Sequence, residues 1–414
     1  MRSFVTKHLT FFENFISFSL FKAVDAIIPL VVIPYLISVV GSVKYGIYAF
    51  AFSLIFYLIN LIQYGFWLSG VRLVATNKDN RDDLEKIYSR IFSTQIFIAT
   101  IVLSLLIILT FTVPKFRSEY IVYLFFIPLI IGQLFSPMWL FLGMERMKFI
   151  TMINILSKST YAILTFIFIK QEHQYIYISL FQSIGFFVSG IAAQILIKRI
   201  FNMPFKMATF KDIKFTLKEG FSAFSSLITP TIYTNTSLFL IGLFGMPQYV
   251  SFLQIGSKLS GAFSVLNTIL TNVFYPVINR NKSLINKVKY LFISVGFLLS
   301  LIMYFGGDII VRLWIPENQE QIIQVVKILS PSPFFASIIS AYGVNGLLVM
   351  KKDKLYMILI LVGSVVGFIT AVTLIPSHFH IGGAIAIVIA LGIKAFLTMY
   401  YFNRNKEELI EDES

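Results

Sequence analysis

The chain has 414 residues, of which 57% are hydrophobic and only 13% are charged, and its mean hydropathy is +0.82. A soluble domain is about 45–50% apolar and about 25% charged. The composition therefore excludes an ordinary soluble protein and indicates an all-α protein that crosses a membrane many times. The chain has no cysteine, which excludes disulfide bonds and thiolate metal sites.

Twelve apolar stretches are each long enough to cross a bilayer as a helix, which takes about 20 residues. We predict spans at residues 14–40, 46–70, 91–112, 120–143, 150–170, 175–197, 220–245, 249–276, 290–306, 321–349, 355–375 and 381–402. The basic N-terminus resembles the start of a signal peptide, but the apolar run after it is too long. We interpret this run as a retained first span.

The charges of the connecting segments give the orientation. When both termini are placed in the cytoplasm, the inside segments hold most of the 34 lysines and arginines. Because basic residues accumulate on the cytoplasmic side, we predict cytoplasmic termini. The net charge of +14 is then spread over several loops, whereas nucleic-acid binding needs basic residues clustered on one face. No nucleic-acid partner is expected.

The longest inside segment divides the chain into two halves. We predict an N-terminal six-helix lobe at 1–197, a cytoplasmic linker at 198–219, a C-terminal six-helix lobe at 220–402 and an acidic cytoplasmic tail at 403–414. GSVKYGIYAFAFSL from Gly41 and GMPQYVSFLQIGSKL from Gly245 are weakly similar. Such internal repeats are common in secondary transporters, whose substrate site lies between the repeats.

The first span carries polar residues on one face. At about 100° per residue, Asn14, Lys22, Asp25 and Pro29 fall together. Ionisable groups inside a membrane are costly and usually face an internal cavity that carries function. The alternative is a Lys22–Asp25 pair, spaced i,i+3, that neutralises itself against neighbouring helices. Pro29 and Pro34 also interrupt the backbone hydrogen bonds of this span, as a hinge or as a static kink.

Polar side chains form stripes at helical spacing on four further spans, where they must face protein or water. The stripes are Ser53, Tyr57, Asn60, Tyr64 and Trp67; Asn154, Lys158, Tyr161 and Thr165; Ser222, Ser226, Thr229, Tyr233 and Thr236; and Ser257, Gly261, Ser264, Thr268, Thr271 and Tyr275, flanked by Lys258 and Asn272. Small and hydroxyl residues also let membrane helices approach closely, which explains single positions more readily than stripes containing Tyr, Asn and Lys.

Five lysines fall inside predicted spans and suggest a cationic path. An anion such as phosphate is its natural cargo, because lysine binds phosphate as a point charge. Lys327 and Lys394 could instead extend toward the membrane surface. The candidate substrate-binding residues are Lys22, Asp25, Asn60, Tyr64, Lys158, Tyr233, Lys258, Asn272 and Lys394.

Several motifs in order along the chain carry a family resemblance. These are PLVVIPY from Pro29, GSVKYG from Gly41, QYGFWLSGVRLVA from Gln63, PMWLFLGMERMKFITMINI from Pro137, and the stretch from Tyr249 through NVFYPVINR. The whole chain resembles the Wzx-type O-antigen flippases, the polysaccharide branch of the multidrug/oligosaccharidyl-lipid/polysaccharide exporters.

This resemblance implies a MATE-like fold of two six-helix lobes around a central cavity lined by spans one, two, seven and eight. It implies a bacterial inner-membrane protein that moves an undecaprenyl-diphosphate-linked oligosaccharide to the periplasmic leaflet. The charged cavity residues of the family would correspond to Lys22, Asp25 and Lys258, and also to Lys158. Asp25 is the candidate for coupling to a proton or Na⁺, and the O-antigen polymerase and chain-length regulator are candidate partners.

Two other functions stay open. A drug or small-solute antiporter of the same fold would suit an apolar cavity with one carboxylate, although five lysines would repel organic cations. A membrane glycosyl polymerase would need catalytic groups in a sizeable loop, and the longest outside segment, 307–320, is short. The chain lacks the nucleotide-binding pattern G-x-x-x-x-G-K-[ST], and His378 and His380 alone are too few for a metal site. Neither a metal nor another cofactor is expected.

Overall fold

The computed structural model describes the backbone of residues 2–405 and the side chains of residues 16–225 and 235–405. Within residues 2–405 the regular secondary structure is helical, and no strand forms. The α-helices are α1 (Arg2–Gln63), α2 (Ser69–Thr76), α3 (Arg81–Thr112), α4 (Pro114–Arg117), α5 (Tyr120–Leu124), α6 (Ile127–Leu134), α7 (Met138–Gly143), α8 (Met147–Phe168), α9 (Ile176–Leu196), α10 (Phe210–Phe244), α11 (Pro247–Arg280), α12 (Ile285–Trp314), α13 (Gln319–Leu329), α14 (Ser332–Ile338) and α15 (Asp353–Asn405). Short 3₁₀ and π-helical turns lie at Glu172–Tyr175, Ile197–Phe201, Lys282–Leu284 and Ile339–Leu348.

Two of these helices each contain two predicted spans. α1 is interrupted at Gly41, whose φ of 75° and ψ of 162° are not helical, and α15 is interrupted at Phe379, with φ 44° and ψ −118°. At Gly41 a single residue can make the break because glycine adopts positive φ without a Cβ clash. The sequence predicts a five-residue turn there, at residues 41–45. The second span ends at Gln63, earlier than predicted, because residues 64–68 form a turn.

The helices fit the predicted membrane architecture. In the part of the chain that the structure describes, nine helical segments are long and apolar enough to cross a membrane, and two of them contain the breaks in α1 and α15. α10, whose described apolar part is Asn235–Phe244, adds to these. The arrangement is compatible with the twelve predicted spans, and the protein is an all-α polytopic membrane protein.

The spans are apolar on their outer faces and contain hydroxyl groups inside. Ile101 and Ile108 of α3 and Ile163 of α8 are exposed, as expected for side chains that contact lipid. On the buried side of α3, the Thr110 hydroxyl donates to the Leu106 carbonyl at 2.7 Å. This bond satisfies the hydroxyl within its own helix, which a membrane interior requires.

Small residues let α6 and α9 approach closely. A Cβ added at Gly190 would meet the carbonyl oxygen of Gly132 at 2.5 Å, and one added at Gly132 would meet the Phe186 backbone at 2.4 Å. At these two positions a side chain would separate the helices, so glycine here serves packing.

The chain forms two compact units that interleave along the sequence. One contains Met1–Ile28 and Ala51–Ile228, and the other contains Pro29–Phe50 and Thr229–Ser414. α1 therefore contributes to both units, and it changes unit twice, between Ile28 and Pro29 and between Phe50 and Ala51. The lobes at 1–197 and 220–402, with the linker at 198–219, stay a prediction.

Candidate functional site

The part of α1 from Ser17 to Asp25 is hydrogen-bonded to α8. These two helices form the centre of the candidate site. The Thr151 hydroxyl donates to the Ser17 carbonyl at 2.7 Å. One turn further along, the Asn154 side-chain amide donates to the Phe21 carbonyl at 3.4 Å. Because spacings of three and four residues lie on one helix face, α8 presents a row of donors to carbonyl oxygens of α1.

An ion pair continues this row. The Lys158 Nζ lies 3.5 Å from the Asp25 Oδ1, and the Asn154 Nδ2 lies 3.5 Å from the same oxygen. The side chains of Lys158 and Asp25 are 20% and 37% exposed, so neither is sealed inside protein. A charged pair among apolar spans is costly unless its members compensate each other. The structure thus pairs Asp25 with Lys158 on another helix.

Lys22 does not make the i,i+3 pair with Asp25 that its spacing suggests. Its Nζ lies 5.4 Å from the centre of the Phe18 ring and 5.5 Å from that of Phe21. Ring faces attract cations at such distances. The Nζ of Lys158 likewise lies 5.7 Å from the Phe186 ring centre. The phenylalanines were not predicted as site residues because an apolar side chain in an apolar span gives no distinguishing signal.

Asn60 makes a contact within its own helix, whereas Tyr64 contacts α10. The Asn60 amide donates to the Phe56 carbonyl at 2.7 Å, one turn back in α1. The Tyr64 hydroxyl donates to the Leu217 carbonyl at 3.1 Å, and its ring stacks on Phe224 with the centroids 4.7 Å apart. These two side chains belong to the same compact unit as the Asp25–Lys158 pair.

The remaining candidates fall in the other compact unit. Lys258 is exposed on α11. The side-chain nitrogen of Asn272 is buried with no hydrogen-bond partner among the described residues. Lys394 is only 3% exposed, and its stem packs on Gly363, where an added Cβ would lie 2.3 Å from the Lys394 Cγ. Tyr233 lies outside the described side chains. Among the candidates, the structure therefore joins Asp25 to Lys158, with Lys22 three residues before Asp25 on the same helix.

A second polar cluster was missed by sequence reasoning. The Ser337 hydroxyl donates to the Asn267 Oδ1 at 2.7 Å, and the Asn267 amide donates to the Pro333 carbonyl at 3.0 Å. Asn267 lies on α11, one turn before Thr271, but outside the predicted stripe. Since both groups are buried and paired, this cluster ties helices together.

The two histidines near the break in α15 do not form a metal centre. Among the described residues, no three His, Cys, Asp or Glu side chains are grouped to hold a metal ion. The His380 ring stacks on Tyr249, with centroids 4.9 Å apart, and meets the Phe252 ring edge-on at 5.3 Å. This histidine therefore packs as an aromatic residue.

The model of one protein family, described as polysaccharide biosynthesis protein, matches residues 11–282, which include α8 and α1 from residue 11 onward. The match extends over more than half of the chain. The chain belongs to this family. This family match agrees with the resemblance seen in the motifs of this polysaccharide biosynthesis protein.

Two curated relatives match over nearly their whole lengths. A protein of Escherichia coli K12 named "Putative O-antigen transporter" is 26% identical over 409 residues, which are 97% of this chain and 99% of that one. A protein of the same name from Shigella dysenteriae is 23% identical over 386 residues, which cover 91% and 96% of the two chains.

Solved structures place the polysaccharide biosynthesis protein in a known fold. The inward closed conformation of the lipid II flippase MurJ aligns with a TM-score of 0.69 and 17% identity, over 96% of this chain and 87% of that chain. The outward-facing conformation of a multidrug-resistance MATE transporter of the MOP superfamily aligns with a TM-score of 0.66 and 10% identity, over 97% and 96%. The predicted MATE-like fold is confirmed.

Proposed function

We propose that the protein is a flippase that moves undecaprenyl-diphosphate-linked repeat units of O-antigen, or of a related surface polysaccharide, from the cytoplasmic to the periplasmic leaflet. The observation that carries this proposal is the end-to-end match with two proteins named as O-antigen transporters. The MurJ-like fold supports it, because that neighbour is named as a flippase for a lipid-linked substrate.

The chemistry around α1 supports an anionic cargo. Lys158 pairs with Asp25, whereas Lys22, three residues before Asp25 on α1, contacts aromatic rings, so these two lysines face only one paired carboxylate between them. Lysine binds phosphate as a point charge, and because a charge inside a membrane is costly, one that is present there usually marks a functional site. In our proposal the diphosphate is drawn to Lys22 and Lys158, while the prenyl chain stays in lipid.

Ion coupling is assigned to Asp25. A proton or Na⁺ bound at the Asp25 carboxylate cancels its charge and weakens its attraction for Lys158. Lys158 then becomes available to the diphosphate, whereas Lys22, held by aromatic rings, is available throughout. The i,i+3 spacing of Lys22 and Asp25 suggested a pair between these two residues, but the ion pair in the structure is with Lys158, so we assign the released lysine to Lys158.

The transport cycle follows from the fold class. Transporters with related halves alternate the access of a central site between the two sides of the membrane. We propose this cycle for a protein of the inner membrane with both termini in the cytoplasm. The O-antigen polymerase and the chain-length regulator would act on the delivered repeat unit and are the proposed protein partners.

The test is a deletion strain of the natural host complemented with variants. Cells without the protein should accumulate the undecaprenyl-linked oligosaccharide and lose the surface polysaccharide. The natural sequence should restore both, and Lys22→Ala and Lys158→Ala should not, at equal amounts of protein in the membrane. Normal lipid-linked sugar levels in the deletion strain would end the proposal.

A second candidate is a small-molecule antiporter, which the MATE-like fold favours. The same deletion strain distinguishes the two functions. An antiporter would change the susceptibility of the cells to cationic drugs and leave the surface polysaccharide intact.

A further inference from the structure

The segment between α9 and α10 is fixed along the start of α3. The backbone N–H of Lys206 donates to the Ser89 hydroxyl at 3.2 Å, and that of Ala208 donates to the Ser93 hydroxyl at 2.9 Å. Nearer α9, the Arg81 guanidinium donates to the Asn202 carbonyl at 3.1 Å. These bonds give an otherwise extended stretch a defined path and a defined outer side.

The first turns of α10 continue along the same helix. Thr209 and Asp212 exchange side-chain and backbone hydrogen bonds at the start of α10, which caps the helix. Ile213 and Thr216 are buried. The Arg90 guanidinium lies 3.2 Å from the Glu219 carboxylate. One face of these turns is therefore held against protein.

The opposite face has a different composition. Phe210 is 69% exposed and Phe221 is 60% exposed, and Met207 and Phe215 are also exposed. Four lysines are exposed among them: Lys206, Lys211, Lys214 and Lys218. We call these eight residues the linker face. Apolar rings beside lysines on one helix face are typical of segments that lie in the headgroup layer of a membrane.

The position of α3 sets the depth of the linker face. Arg90 is the last charged residue of α3, and the helix is free of charge from Ile91 to Thr112. The boundary between polar and apolar layers therefore lies near Arg90. The centre of the Arg90 guanidinium lies 4.9 Å from the Phe215 ring centre, so the linker face sits at that level.

The positive charge of the linker face favours lipids with anionic headgroups. It contains four lysines, and the two nearby carboxylates are engaged, Asp212 by Thr209 and Glu219 by Arg90. Lysines near a bilayer surface attract anionic headgroups, at about fivefold in affinity for each lysine. We propose that the linker face is a binding surface for acidic phospholipids, with its phenylalanines in the acyl boundary and its lysines on the phosphates. The linker face shares no residue with the candidate substrate-binding set.

The test uses the full chain and two triple variants of equal net charge. Lys211→Gln/Lys214→Gln/Lys218→Gln removes charge from the linker face. Lys287→Gln/Lys351→Gln/Lys354→Gln removes it from exposed lysines elsewhere. Native mass spectrometry counts the phosphatidylglycerol and phosphatidylcholine that each protein retains after extraction from vesicles holding both in equal parts.

The natural protein should retain more phosphatidylglycerol than phosphatidylcholine. The ratio of the two retained lipids should be at least tenfold lower for the linker triple and unchanged for the matched control. Equal loss in both triples, or none in either, would overturn the proposal. Hydrogen exchange of residues 203–218 in the natural protein gives an independent check. Exchange should be slower with phosphatidylglycerol than with phosphatidylcholine alone, and high salt should abolish the difference; identical exchange in both lipids also contradicts a lipid-binding face.

Discussion

The indole N–H of Trp314 donates a 2.6 Å hydrogen bond to the backbone carbonyl of Leu30. In an unbroken helix that carbonyl accepts from the N–H of residue 34, but residue 34 is proline and has none. Trp314, at the end of α12, therefore supplies the donor that Pro34 removes. This bond joins residues 284 positions apart within one compact unit.

Replacing Trp314 by phenylalanine should destabilise the protein through the Leu30 carbonyl. A buried acceptor left without a donor costs about 1–3 kcal/mol; the Leu30 carbonyl is part-buried, so the cost should lie at the lower end and the thermal midpoint in detergent should fall. Pro34→Ala restores the helical donor, and the Pro34→Ala/Trp314→Phe variant should therefore lose less than Trp314→Phe alone. Strictly additive effects would contradict this account. Trp67→Phe, at an exposed tryptophan, is the control and should change little.

Gly41→Ala should destabilise the break within α1. The φ of 75° is unfavourable for alanine, while an added Cβ would meet only the Glu317 carboxylate, at an ordinary 3.6 Å. The loss should be about 1 kcal/mol and should come from the backbone. Gly261→Ala is the matched control, since nothing lies within 4 Å of its Cβ and its helix is regular; it should be neutral or stabilising. A tolerated Gly41→Ala would show that the break can move.

Lys158→Met and Lys22→Met should separate stability from transport. Lys158→Met leaves the Asp25 carboxylate without its ion-pair partner, so both stability and polysaccharide export should fall. Adding Asp25→Asn should recover stability but not export. Lys22→Met removes cation–ring contacts worth about 0.5–1 kcal/mol and should abolish export with little loss of stability. Thermal melts and complementation, with membrane levels measured in parallel, check all three; full export by Lys22→Met would remove Lys22 from the site.

The cap of α10 should respond to acid. The hydrogen bond from the Thr209 hydroxyl holds the pKa of the Asp212 carboxyl below its ordinary value. Its contribution is therefore complete above the unfolded pKa, about 3.9, and is lost as the pH falls through the lower folded pKa. Hydrogen exchange at residues 210–214, corrected for intrinsic rates, should accelerate in that range. Asp212→Asn, which does not titrate, should show no such step; an unchanged step would assign it to another group.

The ion-pair partner of Asp25 could be predicted from the sequence only in part. Helical spacing placed Lys22 and Asp25 on one face, and separately placed Asn154 and Lys158 on one face of the fifth span. Both faces meet in the structure. Periodicity identifies a face but not the helix that covers it, so the pair Asp25–Lys158 became visible only in the fold.

The part of α1 from Leu30 to Gly41 could also be predicted only in part from the sequence. Pro34 in the sequence signals a free carbonyl at Leu30, but nothing in the sequence marks Trp314 as its donor. The predicted turns between spans one and two and between eleven and twelve were several residues long, and each break is centred on a single non-helical residue. Local propensity predicted that a break occurs there, while tertiary packing determined how short it is.

The single-residue break at Gly41 has a consequence for topology mapping. A reporter domain inserted there would have to split α1, where the Ser42 N–H and hydroxyl are already bonded to Glu317 and Asn318. The exposed turn at Lys78–Asn80 and the exposed Glu172 and His173 are better insertion points. Because the charge distribution predicts these two places to lie on opposite sides of the membrane, a pair of fusions there tests the orientation of the chain without disturbing its first two spans.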